Sequence, residues 1–487
     1  SSAVMSRPPF PDKRRAGGRD AGGAGVAEGH GWARANPSAA MTTTNSKTVV
    51  LAMARTPFGR LGGGLASLDA TTLGAVALAG AIERAGIDPT EVEHAIFGEV
   101  LQAGVGQNPA RQVIFKAGLA KTVTAETVNK VCASGLLAVV NAMRSIDAGA
   151  HEVVAAGGME SMSNAPYLLR DARWGYRFGD GKVVDAMIYD GLWDQYFPMT
   201  MASQGSKVAT ELGFTREEQD RFALASHQRA AATHEAGSFA DEIVPVKVAS
   251  KARGKVVRDA LPRRGQVRVP VAAGGSRNRI WEHEPSAEFT LDYERYAPFV
   301  TGDVPANLVD RDESVRTDAS LEAMSKLRPL EKDGTITAAN APGVNDGAAA
   351  LILADADYAE QHGYPALATI VEHASVAWDS PYICLTPAMA AQKLLDRTGL
   401  TRADIAVWEI NEAFSAVAIA SSRNLGLDES AINQYGGAVA MGHPIGASGA
   451  RLVGTVVNQL RKRGGGFGIA TICSGGGQGD ALLVKVG

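Results

Sequence analysis

The sequence predicts an α/β fold of two similar halves with an irregular domain inserted between them. Three observations carry this expectation. Strand and helix signals alternate from residue 48 onward, the rhythm of a sheet covered by helices. A Ser-Gly step opens a helix at Ser134-Gly135 and again at Ser448-Gly449, each time followed by a Gly turn and an apolar strand. The stretch between, about 163–345, breaks the rhythm with aromatics and short elements.

In chain order, 49–53 reads as a strand, 73–85 as a helix and 94–98 as a short strand. A helix over 108–117 follows a Gly-rich loop, 134–148 is helical, and 152–156 is a buried strand running into Gly157-Gly158. In the middle region Thr215-Arg-Glu-Glu218 is a capping box, which starts a helix continued by Phe222, Ala225 and Arg229. Residues 247–311 are polar and irregular, with Lys251, Arg253, Lys255, Arg258, Arg263, Arg264 and Arg268 and few acids. A loop of that length is usually functional or mobile. Two readings stay open for it: a solvated loop, or cations that meet phosphates. The last third restores the alternation: strand 367–372, helix 386–398, strand 405–410, helices 413–425 and 449–463, and strands 468–473 and 481–486.

The bulk numbers limit the classes of function. The chain has 487 residues, enough for two or three domains, with 45% hydrophobic and 21% charged residues. A net charge of −4 gives no basic surplus, so nucleic acid is not an expected partner. No apolar run reaches bilayer length, and no membrane span is expected. Three distant cysteines do not form a disulfide framework and fit a reducing, cytoplasmic setting. Residues 1–46 read as an extension without fixed structure, or of cloning origin, with a natural start at Met41 just before the first strand. It has no secretory apolar stretch, and Asp12, Asp20 and Glu28 count against an organelle transit peptide, although targeting by it stays an alternative.

Chemistry concentrates in three Gly/Ser-rich turns. Cys132, just ahead of the helix opening at Ser134, is expected to gain thiolate character from the helix N-terminus, the alternative being a buried structural thiol. His443, between Gly442 and Pro444 and also ahead of a helix, is expected to stay neutral and to accept a thiol proton. Cys473 ends an apolar strand and enters Gly475-Gly476-Gly477, whose backbone N–H groups can face an oxyanion. No Gly-Lys-Ser/Thr follows, so this is not a P-loop. Asn411, after the strand ending at Ile410, is either a helix cap or the holder of a water that polarises a carbonyl. Cys384 reads as structural. Together a thiol, an imidazole and a second thiol make an acyl-transfer site, with no metal site and no resident cofactor expected.

These residues bring a family into view. The chain resembles the thiolases, the acetyl-CoA C-acyltransferase family. The matching stretches are Ala54-Arg-Thr-Pro-Phe58, Gly106-Gln-Asn-Pro-Ala-Arg-Gln112, Asn129-Lys-Val-Cys-Ala-Ser-Gly-Leu136, Gly157-Gly-Met-Glu-Ser-Met162, Asn345-Asp-Gly-Ala348, Asn411-Glu-Ala-Phe414, the run from Gly436 to Gly449, and Cys473-Ser-Gly-Gly-Gly-Gln-Gly479. The resemblance implies a layered α-β-α-β-α fold. It assigns 47–162 plus 346–365 to an N-terminal half, 163–345 to a loop domain with an enlarged insert near 247–311, and 366–487 to a C-terminal half. It implies a CoA-dependent, ping-pong Claisen condensation and its reverse. Cys132 would carry the acyl group. His443 would activate it and, with a water on Asn411, hold a substrate carbonyl oxygen. Cys473 would move the second proton, and the N–H groups of Cys132 and Gly475 would form another oxyanion hole. Acyl-CoA and CoA would be the substrates of a homodimer or homotetramer, and the cations of the insert could meet CoA phosphates.

The chain departs from the family pattern in places that bear on CoA binding and acyl preference. Pro342 stands where many members have Ser, Pro198 stands roughly where acetyl-specific members have His, with Met199 beside it as a further CoA contact, and Tyr435 replaces a common Asn. Two alternatives are a ketoacyl synthase, which pairs Cys with two His or with His and Asn and has no second catalytic Cys, and a non-catalytic acyl-CoA binder. The Gly-rich turn around Cys473 favours a thiolase over the first, and the full set of chemical residues disfavours the second.

Overall fold

The computed structural model describes residues 46–249 and 306–487. Of the insert expected near 247–311 only the ends are described: Val246–Ala249 pairs antiparallel with Ala306–Val309. The rest of that insert and nearly all of the 1–46 extension lie outside the described residues.

The N-terminal half begins with β1 (Thr48–Arg55), in which every residue is buried, as in a strand covered on both faces. Helix α1 (Ala70–Ala85) starts where the Asp69 carboxylate accepts the Thr72 N–H and stops at Gly86, whose φ of 67° only glycine takes easily. After β2 (His94–Gly98), α2 (Pro109–Lys116) is capped by the Asn108 side chain, and β3 (Thr124–Val128) leads to α3 (Ser134–Asp147) and β4 (Val153–Ser161). The loop region contributes α4 (Met201–Glu211) and α5 (Arg216–Glu235), the latter opened by the expected Thr215/Glu218 capping box. Strand β5 (Asn345–Asp355) then returns to the first half.

The C-terminal half runs β6 (Ala368–Ala377), α6 (Thr386–Thr398), β7 (Ile405–Ile410), α7 (Ser415–Leu425), α8 (Ser448–Lys462), β8 (Gly466–Ser474) and β9 (Gln478–Val486). The strands hydrogen-bond in the order β7-β8-β9-β6-β1-β5-β4-β2-β3. Read outward from the middle, the halves repeat. β1 pairs antiparallel with β5 as β6 does with β9, β5 antiparallel with β4 as β9 does with β8, and β4 parallel with β2 as β8 does with β7. Only two residue pairs, Val49 with Thr369 and Val50 with Ala368, join the two halves at β1 and β6.

Helices α3 and α8 form the middle layer. One apolar cluster combines Leu136, Val139 and Val140 of α3 with Leu452, Val453 and Val456 of α8 and with side chains from both half-sheets. α8 is buried at every position from Ser448 to Leu460, as a helix enclosed on all sides must be. Helices α1 and α2 cover the outer face of the first half, and α6 and α7 that of the second. The layered α-β-α-β-α expectation is met, and the loops at the N-termini of α3 and α8 converge in its centre.

Several expected elements differ in extent. β4, β6 and β8 are longer than the sequence suggests because their Gly and polar residues are enclosed in the sheet. β3 and β5 were not expected: β5 reads as an Ala-rich run, and β3 lies at the edge of the sheet, with weak apolar alternation.

Candidate active site

Cys132 sits on the turn between β3 and α3. Val131 before it has a φ of 47°, which a β-branched residue adopts only under constraint. The turn is braced locally: Asn129 Oδ1 accepts the Val131 N–H at 2.9 Å, and Ser134 Oγ accepts the Lys130 N–H at 2.8 Å while donating to the Val131 carbonyl at 2.6 Å. The half-buried Cys132 side chain packs on the cluster of Val100, Leu101, Met162 and Ile445, against which Met187 and Val344 also pack.

Cys473 reaches the same place from the far end of the chain. It lies near the end of β8, opposite Gly479 of β9, and is fully buried. The hydroxyl of Ser474 donates to the Lys130 carbonyl, which ties this strand end to the Cys132 turn. A Cβ on Gly475 would come 3.3 Å from Val131 Cγ1. The N–H groups of Cys132 and Gly475 both bear on the Cys132 sulfur, and charge on Cys132 acts on Cys473.

His443 is fixed at three atoms. Its backbone N–H donates to Asn345 Oδ1 at 3.0 Å, and Asn345 in turn donates to the Gly59 carbonyl at 2.9 Å. Its Nδ1 lies 2.5 Å from Ser448 Oγ, whose proton goes to the Pro444 carbonyl at 2.9 Å. A hydroxyl that donates to a carbonyl can only accept from the ring, so Nδ1 carries the hydrogen and Nε2 keeps its lone pair. Nε2 faces Asn411 Nδ2 at 3.4 Å. Asn411 is not a helix cap: α7 begins at Ser415, after a start at Phe414 with no side-chain cap. Asn433 braces the strand before Asn411 by bonding both the N–H and the carbonyl of Ile410 at 2.8 Å.

Two buried carboxylates shape these loops, and sequence reasoning did not single them out. Glu160 accepts N–H groups from Val100, Leu101 and Gly446 at 3.2, 3.0 and 2.9 Å, joining both halves behind Cys132. Glu412 accepts from Ser226, Asn433 and the Val439 N–H at 2.8, 2.8 and 3.0 Å, and so shapes the turn that leads to His443. Glu160, Asn345 and Ser448 all fall inside the matching motif stretches. Their roles were hidden because their partners are mostly backbone groups, many of them distant in sequence.

The electrostatics correct one expectation. Cys132 does not gain thiolate character. Burial pushes its thiol up to about 12, the nearby Glu160 adds to this, and the two N–H groups offset only part of the rise. Burial also drives Cys473 well above its ordinary value. His443 is pushed down to about 3, first by burial and then by the Arg451 guanidinium, so the neutral imidazole expected from the sequence is what the site holds. Thiol and imidazole are thus both uncharged at rest.

The other expected residues make no hydrogen bond with Cys132, His443 or Cys473 among the described residues, although Cys384 shares an apolar cluster with Cys473. Pro198 is exposed and Met199 half-buried, next to the short pairing of Trp193–Asp194 with Met199–Thr200. The Asp194 carboxylate anchors this loop by accepting the Tyr196 and Phe197 N–H groups at 2.7 and 3.1 Å and the Ser380 hydroxyl. Pro342 is half-buried, two residues before Val344, which packs against the same apolar cluster as Cys132. Cys384 is fully buried, with its thiol pushed up to about 12. Among the described residues no cluster of three or more His, Cys, Asp or Glu could hold a metal ion, and no helix is long and apolar enough to cross a membrane.

A repeated α/β fold with two cysteines and a histidine converging at its centre defines a class of acyl-transfer protein, and comparison with known proteins agrees. Residues 48–268 and 297–357 match the model of the thiolase N-terminal domain, and residues 364–486 that of the thiolase C-terminal domain. The chain belongs to the thiolase family. It is 43% identical over 438 residues to an acetyl-CoA acetyltransferase of Cupriavidus necator, covering 90% of this chain and 98% of that protein. It is 42% identical over 439 residues to an acetyl-CoA acetyltransferase of Escherichia coli, covering 90% and 98%, and 40% identical over 440 residues to acetyl-CoA acetyltransferase 2 of Arabidopsis thaliana, covering 90% and 96%.

Proposed function

We propose that this thiolase catalyses the reversible, CoA-dependent condensation of acyl-CoA with acetyl-CoA to a 3-ketoacyl-CoA, through an acyl thioester on Cys132. The observation that supports it most is that the turns carrying Cys132 and Cys473, from opposite ends of the chain, are tied together through Ser474 and the Lys130 carbonyl, while His443, with its hydrogen on Nδ1, keeps the Nε2 lone pair that can take a proton.

In the synthetic direction the Cys132 thiol passes its proton to His443 Nε2 as the sulfur attacks the acyl-CoA carbonyl. The resulting oxyanion is held by the N–H groups of Cys132 and Gly475. When it collapses, the carbon–sulfur bond to CoA breaks and the CoA sulfur takes the proton of Cys473. Acetyl-CoA then enters and loses an α-proton to the Cys473 thiolate. Its enolate oxygen rests against the protonated His443 and a water held by Asn411, whose Oδ1 is buried without a partner among the described residues. The enolate carbon attacks the acyl thioester, and the released Cys132 sulfur recovers its proton from His443. All protons return to their starting sites. Each oxyanion donor contributes about 10²–10³ in rate, and both thiols are costly to ionise when buried, so this support is needed at each step.

The resident chemistry calls for no further cofactor, with CoA as substrate and product. Pro342, Pro198 and Met199 are proposed to meet CoA, and the protein to work in the cytoplasm as a homodimer or homotetramer in fatty acid metabolism, including β-oxidation. Among the described residues the edge strand β3 pairs on one side only, which suits assembly. Mixing acetoacetyl-CoA with CoA and following loss of the enolate absorbance tests the activity. Turnover by wild type and its absence in Cys132→Ala is the expected result; full activity in Cys132→Ala would exclude the assignment.

A further inference from the structure

A buried polar cluster lies beside the catalytic turn and takes no part in the steps above. Asp480 of β9 is fully buried, opposite Ile472 of β8 and Ser375 of β6. Its carboxylate receives the Lys130 ammonium, 2.7 Å from Oδ2 and 2.9 Å from Oδ1, the His373 ring Nε2 at 3.0 Å, and the Ser375 hydroxyl. These contacts hold Asp480 below the ordinary carboxylate range despite its burial. Lys130 also lies 3.4 Å from Ser375 Oγ.

Lys130 is two residues before Cys132, next to the strained Val131. It is therefore gripped twice by the other half of the molecule: its side chain by Asp480, and its carbonyl by the hydroxyl of Ser474, the residue after Cys473. Each grip comes from the hairpin that carries the second sulfur. We propose that Lys130 and Asp480, with His373 and Ser375 orienting the carboxylate, form a clamp that sets Cys132 in register with Cys473. Lys130 and Asp480 are positioning residues: they touch neither sulfur and act through the turn. A buried charge pair costs desolvation and is a weak source of stability, but it fixes one geometry because the unpaired alternatives are costly. A constrained turn of this kind persists only where its surroundings over-determine it.

The clamp rests on the reading of Cys132 and Cys473 as the reacting groups, and the test separates the two ideas. Lys130→Met, Asp480→Asn and the double variant are compared with wild type and Cys132→Ala in acetoacetyl-CoA thiolysis. If the clamp positions the sulfurs, each single variant loses about 10–100-fold in kcat while KM stays within about threefold. The double variant then loses no more than the worse single one, because both changes break the same contact. Should Asp480→Asn not fold, Lys130→Met, whose side chain is 15% exposed and whose loss leaves Asp480 still bonded to His373 and Ser375, carries the kcat and KM comparison. Unchanged kcat in Lys130→Met, or single losses that multiply in the double variant, overturns the clamp. Inactive wild type, or active Cys132→Ala, overturns the underlying reading instead.

Discussion

Gly135 of α3 and Gly449 of α8, equivalent positions of the two halves, lie against each other's helices at the centre of the molecule. A Cβ on Gly135 would stand 2.9 Å from the Ala450 nitrogen, and one on Gly449 would stand 2.3 Å from the Leu136 nitrogen. Backbone atoms cannot swing aside as a flexible side chain can. The approach of the two helices, and with it the meeting of the Cys132 and His443 turns, depends on the absence of side chains here.

Gly449→Ala is therefore expected to destabilise the fold by about 3 kcal/mol, the upper range for overpacking a tight core. It should also depress kcat by displacing the α8 N-terminus. Chemical denaturation measures the first effect. Wild-type stability in this variant would mean that the helices have room to separate.

Ser448 fixes the tautomer of His443 by accepting from Nδ1. Ser448→Ala frees the ring to place its hydrogen on either nitrogen. A fall in kcat of about 10–100-fold is expected from impaired proton transfer, with little change in KM. Steady-state thiolysis kinetics decide this, and an unaltered kcat would show that the ring is held by other means.

Glu99 is fully buried, and neither of its carboxyl oxygens has a partner among the described residues. Burial first, then Glu160 and Asp69, push it up to about 9. Its unfolded value is about 4.3. Between these values the folded chain keeps a proton that the unfolded chain has lost, so this group lowers stability progressively as pH rises through that window. Glu99→Gln removes the titration. Thermal unfolding at pH 6 and pH 8 should show the variant's advantage growing with pH, to the order of a few kcal/mol. A difference between the proteins that does not change with pH would contradict this.

Burial, rather than the helix terminus, governs Cys132. Its alkylation by iodoacetamide should keep accelerating with pH through the neutral and mildly alkaline range, as the thiolate fraction grows. A rate already level at neutral pH would indicate an ion pair with His443. Mass spectrometry of the alkylated peptide identifies the site.

The sequence made much of this legible, for physical reasons that differ from residue to residue. Repeated Ser-Gly helix starts revealed the two halves because a Cβ at Gly135 or Gly449 would meet the backbone of the facing middle helix. Cys132, His443 and Cys473 were visible because reactive residues in Gly-rich turns have few packing explanations. β5 was missed because Asn345-Asp-Gly-Ala-Ala-Ala carries little strand character until neighbouring strands enclose it. The thiolate expectation failed because a helix start can be read locally, whereas the apolar wall of Val100, Leu101, Met162 and Ile445 is assembled from distant segments. Lys130 stood beside Cys132 in plain view, but its partner Asp480 is 350 residues away.

The central claim is that Cys132 carries the acyl group. Wild-type protein mixed with acetyl-CoA and quenched, then digested and analysed by mass spectrometry, should show one acetyl increment on the peptide containing Cys132, removed by added CoA. Acetyl on the Cys473 peptide instead, or none on either while turnover proceeds, would contradict the account.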